Sequence, residues 1–273
     1  MSLLGKFWAL AAVVAQAAAL PTALKSRDID SGLLSSLSLF EQYAAAAYCS
    51  NNHQAGSTGD ISCSVGNCND VQSAGATAVY EFDQANDYGD ATGFIATDAT
   101  NKLVVLSFRG SSDIQNWEAN LNFALTDVDL CDGCQAHTGF WASWGTVSDE
   151  ITSQIDAAMS ANSGYGLVVT GHSLGGALAA LAGTALRNSG HTLDLLVPCH
   201  SHQRHRPFCA SRVFRVLARN PEYWITNGDL SPVGTSDVQE IDGIDATGGN
   251  AGESSYLIDP HLWYFNAVTA CLL

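Results

Sequence analysis

The chain is poor in basic residues: 11 Lys and Arg stand against 27 Asp and Glu, for a formal net charge of −16. That balance excludes a nucleic-acid binder, because affinity for phosphate backbones rests on clustered Lys and Arg. It also excludes electrostatic attraction to an anionic membrane surface. No apolar run reaches the length of a membrane span. There is no Asn-x-Ser/Thr acceptor for N-glycosylation, no internal repeat and no inter-domain linker. With a hydrophobic content of 47% in 273 residues, one large core and one domain over residues 28–273 are expected.

The first 27 residues read as processing signals. Residues 1–6 carry one positive charge, residues 7–20 are an Ala-rich apolar run, and Ala17-Ala18-Ala19 offers the small residues a signal peptidase needs. A signal peptide over 1–20 and a pro-segment over 21–27, ending in Lys25-Ser26-Arg27, predict a secreted, extracellular protein; a buried N-terminal helix is the competing reading. Eight cysteines suit an oxidising compartment. Cys63 and Cys68 lie close in sequence, as do Cys131 and Cys134. A Cys-x-x-Cys can mark zinc or redox chemistry, but no second such pair or matching His pair completes a metal site, which favours disulfides and no metal. Cys49 and Cys271 sit near the ends of the mature chain, placed to staple it. Cys199 and Cys209 are left over.

Periodicity places the elements. Leu33, Leu34, Leu37, Phe40, Ala44 and Tyr48 follow a helical period. Residues 78–82, 92–97 and 102–108 are β-rich, and the turn residues 98–101 make a hairpin of the last two. Val147, Ile151, Ile155 and Met159 mark a helix; residues 166–170 are a short buried strand and residues 175–187 a small-residue helix. Strand, sharp turn and helix is the arrangement of an α/β sheet.

Between that strand and helix lies Gly171-His172-Ser173-Leu174-Gly175, a G-x-S-x-G elbow in the context it requires. The turn pushes the Ser173 hydroxyl out of the sheet, and flanking glycines let neighbouring chains approach without a Cβ clash. The start of the following helix aims backbone N–H groups at developing negative charge.

Residues 171–179 resemble the nucleophile motif of the fungal (class 3) triacylglycerol lipases, of the Thermomyces and Rhizomucor type. Residues 43–49, 106–111, 116–123, 244–250 and 261–265 are similar to further stretches of that family. The resemblance implies an α/β-hydrolase fold, a single domain with a mostly parallel central sheet and a short helical lid. It implies Ser173 as nucleophile and His261 as the histidine that takes its proton, with His172 a packing residue. The oxyanion donors would be the Leu174 N–H and Ser111. Residues 113–121 occupy the place of the lid, where Ile114, Trp117 and Leu121 share one helical face and Glu118 adds a charge. The cysteine pairs fall where the family places disulfides: Cys49–Cys271, Cys63–Cys68 and Cys131–Cys134. His53 and His137 read as ordinary satisfied histidines.

The chain departs from the family after residue 196. The stretch carrying the family's third catalytic residue, an Asp, is not found, and the interval from Ser173 to His261 is shorter than the family norm. Residues 197–219 hold five Arg, three His and no acid, along with both unmatched cysteines. Three readings compete: a misread intron or reading-frame slip, a genuine pseudoenzyme, and a metal-binding insert using His200, His202, His205 and Cys199, which its basic neighbours oppose. The central sheet is expected to be incomplete near 197–219. Asp194, Asp229, Asp237, Asp242, Asp245 and Asp259 precede His261, and none stands in the family context.

The function implied is a secreted serine esterase, without cofactor, that cleaves acylglycerol esters at a lipid–water interface through an acyl-enzyme. A feruloyl or other carbohydrate esterase of the same fold is the alternative, and a catalytically silent protein is the third reading.

Overall fold

The computed structural model describes residues 28–84, 91–112, 124–199, 222–227, 230–241 and 259–272. Its centre is a six-stranded sheet in the order β1-β2-β3-β4-β7-β8. The strands are β1 (Gly59–Asp60), β2 (Thr77–Gln84), β3 (Ala91–Asp98), β4 (Leu103–Phe108), β7 (Gly166–His172) and β8 (Leu193–Cys199). β4, β7 and β8 run parallel, and the earlier strands join antiparallel, including the hairpin of β3 and β4. Two antiparallel ribbons stand apart: β5 (Leu125–Asp127) with β6 (Gln135–His137), and β9 (Glu222–Ile225) with β10 (Val238–Ile241).

Both faces of the sheet are covered, which explains why β4 and β7 read as continuous apolar runs rather than alternating ones. Val104, Leu106 and Phe108, with Leu167 and Val169, face a core built by three helices. These are α3 (Thr138–Gly145), α4 (Ser148–Ala161) and α5 (Leu174–Asn188). Val105 and Val168 point the other way, toward Phe40 and Tyr43 of α1 (Ser31–Ala46). α1 starts on Asp30, whose carboxylate accepts the Leu33 N–H at 2.9 Å. Its later turns also touch a third core that joins Tyr48 to Ile225, Val238 and Tyr264. A short helix, α2 (Asn69–Ser73), completes the set.

The three disulfides implied by the family resemblance are present, with Cα–Cα distances of 4.9 Å for Cys49–Cys271, 5.7 Å for Cys63–Cys68 and 5.2 Å for Cys131–Cys134. The first ties the end of α1 to the C-terminal turns.

Residues 197–199 belong to β8, pairing Val197 with Thr170, Pro198 with Gly171 and Cys199 with His172. The discordant stretch therefore begins inside a strand. Among the described residues β8 is the last strand of the sheet, and an edge is where a proline, lacking an N–H to give, is tolerated. The rest of that stretch, with His200, His202, His205 and Cys209, lies outside the described residues.

Candidate active site

Ser173 sits between the end of β7 and the first residue of α5, with φ 58° and ψ −123°. A side-chain-bearing residue rarely adopts a positive φ, and the surrounding packing must hold it there. That packing depends on glycines. A Cβ on Gly175 would run into the carbonyl oxygens of Phe108 and Arg109 at the end of β4. A Cβ on Gly110 would meet the His172 carbonyl oxygen at 2.6 Å and the Ser173 Cβ at 3.1 Å. The Phe108-Arg109-Gly110 backbone consequently lies directly against the elbow and the start of α5, one residue short of Ser111. Leu174 and Gly175 open α5, where leading N–H groups have no partner inside the helix. Such N–H groups can receive a negative charge beside the Ser173 hydroxyl.

Arg109 is itself held. Its N–H donates to the Thr92 carbonyl at 2.8 Å, and its guanidinium lies 3.4 Å from His53 Nε2. His53 Nδ1 is 2.9 Å from the Ala47 carbonyl, an acceptor only, so the proton is on Nδ1 and Nε2 faces Arg109 with its lone pair. Burial first, then the Arg109 charge, push the His53 pKa below its ordinary 6.5. A histidine that the sequence marks as ordinary thus supports the stretch next to Ser111.

His261 lies in the 3-10 turn Asp259–Leu262 and is buried. Its ring rests on that of His172, with centroids 4.5 Å apart, and its carbonyl is 2.8 Å from His172 Nε2. His172 Nδ1 is 2.6 Å from the Tyr48 hydroxyl. The fold therefore joins His261 to the elbow through the residue preceding Ser173. The Ser173 hydroxyl is buried and, among the described residues, has no hydrogen-bond partner. Catalytic hydrogen bonds are often long in a free enzyme and close with substrate.

The segment carrying His261 is anchored at several further points. Asn67 Nδ2 donates to the Ala267 carbonyl at 3.2 Å, and Asn266 Nδ2 donates to Glu41 Oε2 at 2.8 Å. Glu41 is buried within α1, and among the described residues its Oε1 has no partner. Burial pushes its carboxyl well above the ordinary 4.5, against the smaller lowering by Asn266. A carboxyl that keeps its proton in the fold contributes stability below about pH 4.5 and loses it as pH rises toward the folded pKa. Glu41→Gln, which mimics the protonated form, is accordingly expected to raise the melting temperature at pH 7 by at least about 2 °C, and to change it little at pH 4. Thermal unfolding at pH 4, 5.5 and 7 checks this; a difference independent of pH would refute it.

Of the acids between Ser173 and His261, the structure removes two as partners for the histidine. Asp194 packs against Gly166, the first residue of β7, whereas Ser173 follows the last. A seven-residue strand separates those ends by roughly 20 Å. Asp237 is engaged locally, accepting the Gly234 N–H at 2.8 Å. Asp229, Asp242, Asp245 and the side chain of Asp259 lie outside the described residues, as do the lid residues Ile114, Trp117 and Leu121.

Known proteins resemble this chain over most of its length. The secreted mono- and diacylglycerol lipase A of Penicillium cyclopium is 39% identical over 290 positions, covering 97% of this chain and 95% of that protein. The chain belongs to the class 3 lipase family. The family pattern "Lipase (class 3)" matches residues 105–228 and its companion "Lipase 3 N-terminal region" matches residues 9–80. The secreted mono- and diacylglycerol lipase 1 of Fusarium solani is 34% identical over 87% of this chain and 78% of its own. The crystal structure of the mono- and diacylglycerol lipase from Aspergillus oryzae superposes with a TM-score of 0.77 at 35% identity, covering 87% of this chain and 98% of that one. This class 3 lipase is therefore an α/β-hydrolase and a carboxylic ester hydrolase. In the Penicillium alignment, 97% of 273 residues fill about 265 of the 290 positions, so about 25 positions of the relative have no counterpart here.

Proposed function

We propose that this class 3 lipase is a secreted serine esterase acting on acylglycerols at a lipid–water interface, and on mono- and diacylglycerols before triacylglycerols. The observation that carries the proposal is the Ser173 hydroxyl at a strained strand-to-helix turn, flanked by the Arg109-Gly110 backbone and tied through His172 to His261. Ser173 attacks the ester carbonyl while His261 takes its proton. The Leu174 N–H and Ser111 stabilise the oxyanion. His261 returns the proton to the departing glycerol oxygen, and water then cleaves the acyl-enzyme by the same path. Residues 113–121, whose sequence resembles the family's lid, are assigned the role of meeting lipid through Ile114, Trp117 and Leu121. Residues 28–273 form the catalytic domain, behind a signal peptide over 1–20 and a pro-segment over 21–27. The preference for partial glycerides and the secretion are supported by the relatives' names, mono- and diacylglycerol lipases described as secreted.

The test is a ratio of rates, so that it holds whatever the absolute turnover. Purified protein is assayed on emulsified monoolein, diolein and triolein and on soluble methyl ferulate. Hydrolysis of the partial glycerides at least about 10-fold faster than triolein, with ferulate untouched, is expected; a factor of ten is 1.4 kcal/mol of transition-state discrimination. Faster cleavage of ferulate would move the chain to the carbohydrate esterases.

A further inference from the structure

The histidine inside the elbow has both ring nitrogens committed. A carbonyl oxygen only accepts, so His172 Nε2, 2.8 Å from the His261 carbonyl, carries the proton. Nδ1 then offers a lone pair, which accepts a hydrogen bond from the Tyr48 hydroxyl at 2.6 Å. We infer that Tyr48 and His172 are positioning residues that set the place of His261 for proton transfer, an inference that rests on the proposed roles of Ser173 and His261.

Three observations carry it. First, Tyr48, His172 and His261 are all buried, at 1%, 0% and 8% exposure, so water does not replace a lost bond and an orphaned partner is costly. Second, the His261 carbonyl fixes the tautomer, and the Tyr48 hydroxyl, bonded to the opposite nitrogen, holds the ring in the orientation that keeps Nε2 on that carbonyl. Without the hydroxyl the ring can turn, which moves the Nε2 donor off the His261 carbonyl and releases that turn. Third, the C-terminal segment has independent anchors in Cys49–Cys271, Asn67 with Ala267, and Asn266 with Glu41. Loss of the His172 bond therefore leaves the segment docked and moves chiefly the residue whose carbonyl it held. The Tyr48 hydroxyl also stands where a Gly110 Cβ would fall. One hydroxyl thus touches the oxyanion stretch, the elbow and, through His172, the base.

Ring packing alone is the simpler account, since His172 also lies edge-on to Tyr264 at 5.7 Å. The two accounts differ in what a shape-preserving variant does. Tyr48→Phe, His172→Phe, His172→Gln and the double variant Y48F/H172F are compared with the unaltered chain on soluble p-nitrophenyl butyrate, with His261→Ala alongside. Displacing a catalytic group by about 1 Å costs on the order of 100-fold. Y48F is expected to lower kcat about 10-fold and H172F about 100-fold, with KM within about 2-fold, because ground-state binding is untouched. H172Q retains a donor for the His261 carbonyl and is expected to recover about 10-fold over H172F. The double variant is expected to be no slower than H172F, because Tyr48 acts through His172.

Unchanged kcat in Y48F, a loss confined to KM, or multiplied losses in the double variant would overturn the inference. Should H172F fail to fold, the kcat and KM of Y48F and H172Q decide alone. An inactive His261→Ala beside a fully active Y48F defeats this inference only; an active His261→Ala defeats the proposed function with it.

Discussion

Ser173→Ala is expected to abolish covalent labelling by an organophosphonate and to lower ester hydrolysis to background. Ser173 is the only serine in a G-x-S-x-G elbow of the sequence, and among the described residues its hydroxyl meets no competing hydrogen bond. The size of the rate effect depends on the state of the triad. In subtilisin, losing the serine costs about 2 × 10⁶ in kcat and losing the acid alone about 3 × 10⁴, with losses that do not add. A chain with a complete triad should therefore fall by roughly 10⁶, and one already lacking its acid by roughly 10². Labelling tells the two apart from a wrong nucleophile, because it should vanish in both. Mass spectrometry that finds phosphonate on another residue of S173A would falsify the assignment.

Sequencing the transcript across codons 195–221 is expected to return a longer segment that encodes a strand and an Asp able to hydrogen-bond His261. The motive is a set of independent discrepancies. Residues 197–219 hold five Arg and three His without an acid, in a chain where acids outnumber bases 27 to 11. The Penicillium alignment leaves about 25 positions of the relative without a counterpart somewhere along its length. Among the described residues the sheet ends at β8, and β9 stands apart in its own ribbon. Asp194 is at the wrong end of β7, and Asp237 is taken by Gly234. The acid orients the histidine and stabilises its charged form, so the longer protein should turn over about 10⁴ times faster than the present chain. Both versions are expressed and compared on tributyrin, with soluble yield recorded. If the transcript matches the present sequence and the pure protein works at ordinary lipase rates, the idea is wrong. Asp229, Asp242, Asp245 or Asp259 would then have to serve the histidine.

Much of the fold was legible in residue order because its signals are local. The hairpin of β3 and β4, the helix after Val147 and the strand–elbow–helix around Ser173 each announce themselves within about 15 residues, through period, turn residues and small side chains. The disulfides and the site residues came from likeness to a family, since cysteine spacing alone leaves about 15 pairings open for six cysteines. α3 carried little signal: Phe140 and Trp144 are its buried anchors, and its N-cap is His137, whose Nδ1 accepts the Gly139 N–H at 3.1 Å. His is an uncommon capping residue, so the start of that helix went unseen.

What residue order by itself determined is a serine on a sharp turn, cysteines suited to an oxidising compartment, an excess of acids over bases, and a break in pattern after residue 196. Those properties follow from composition and from contacts between near neighbours. Only the tertiary structure decided which distant groups meet. It took His172 from a packing residue to one whose two nitrogens join Tyr48 to His261, across 124 residues on one side and 89 on the other. It gave His53 a role beside Arg109, and it removed Asp194 from contention. Hydrogen bonds of that kind are fixed by where buried donors and acceptors land once the sheet is covered, and sequence separation carries no trace of it.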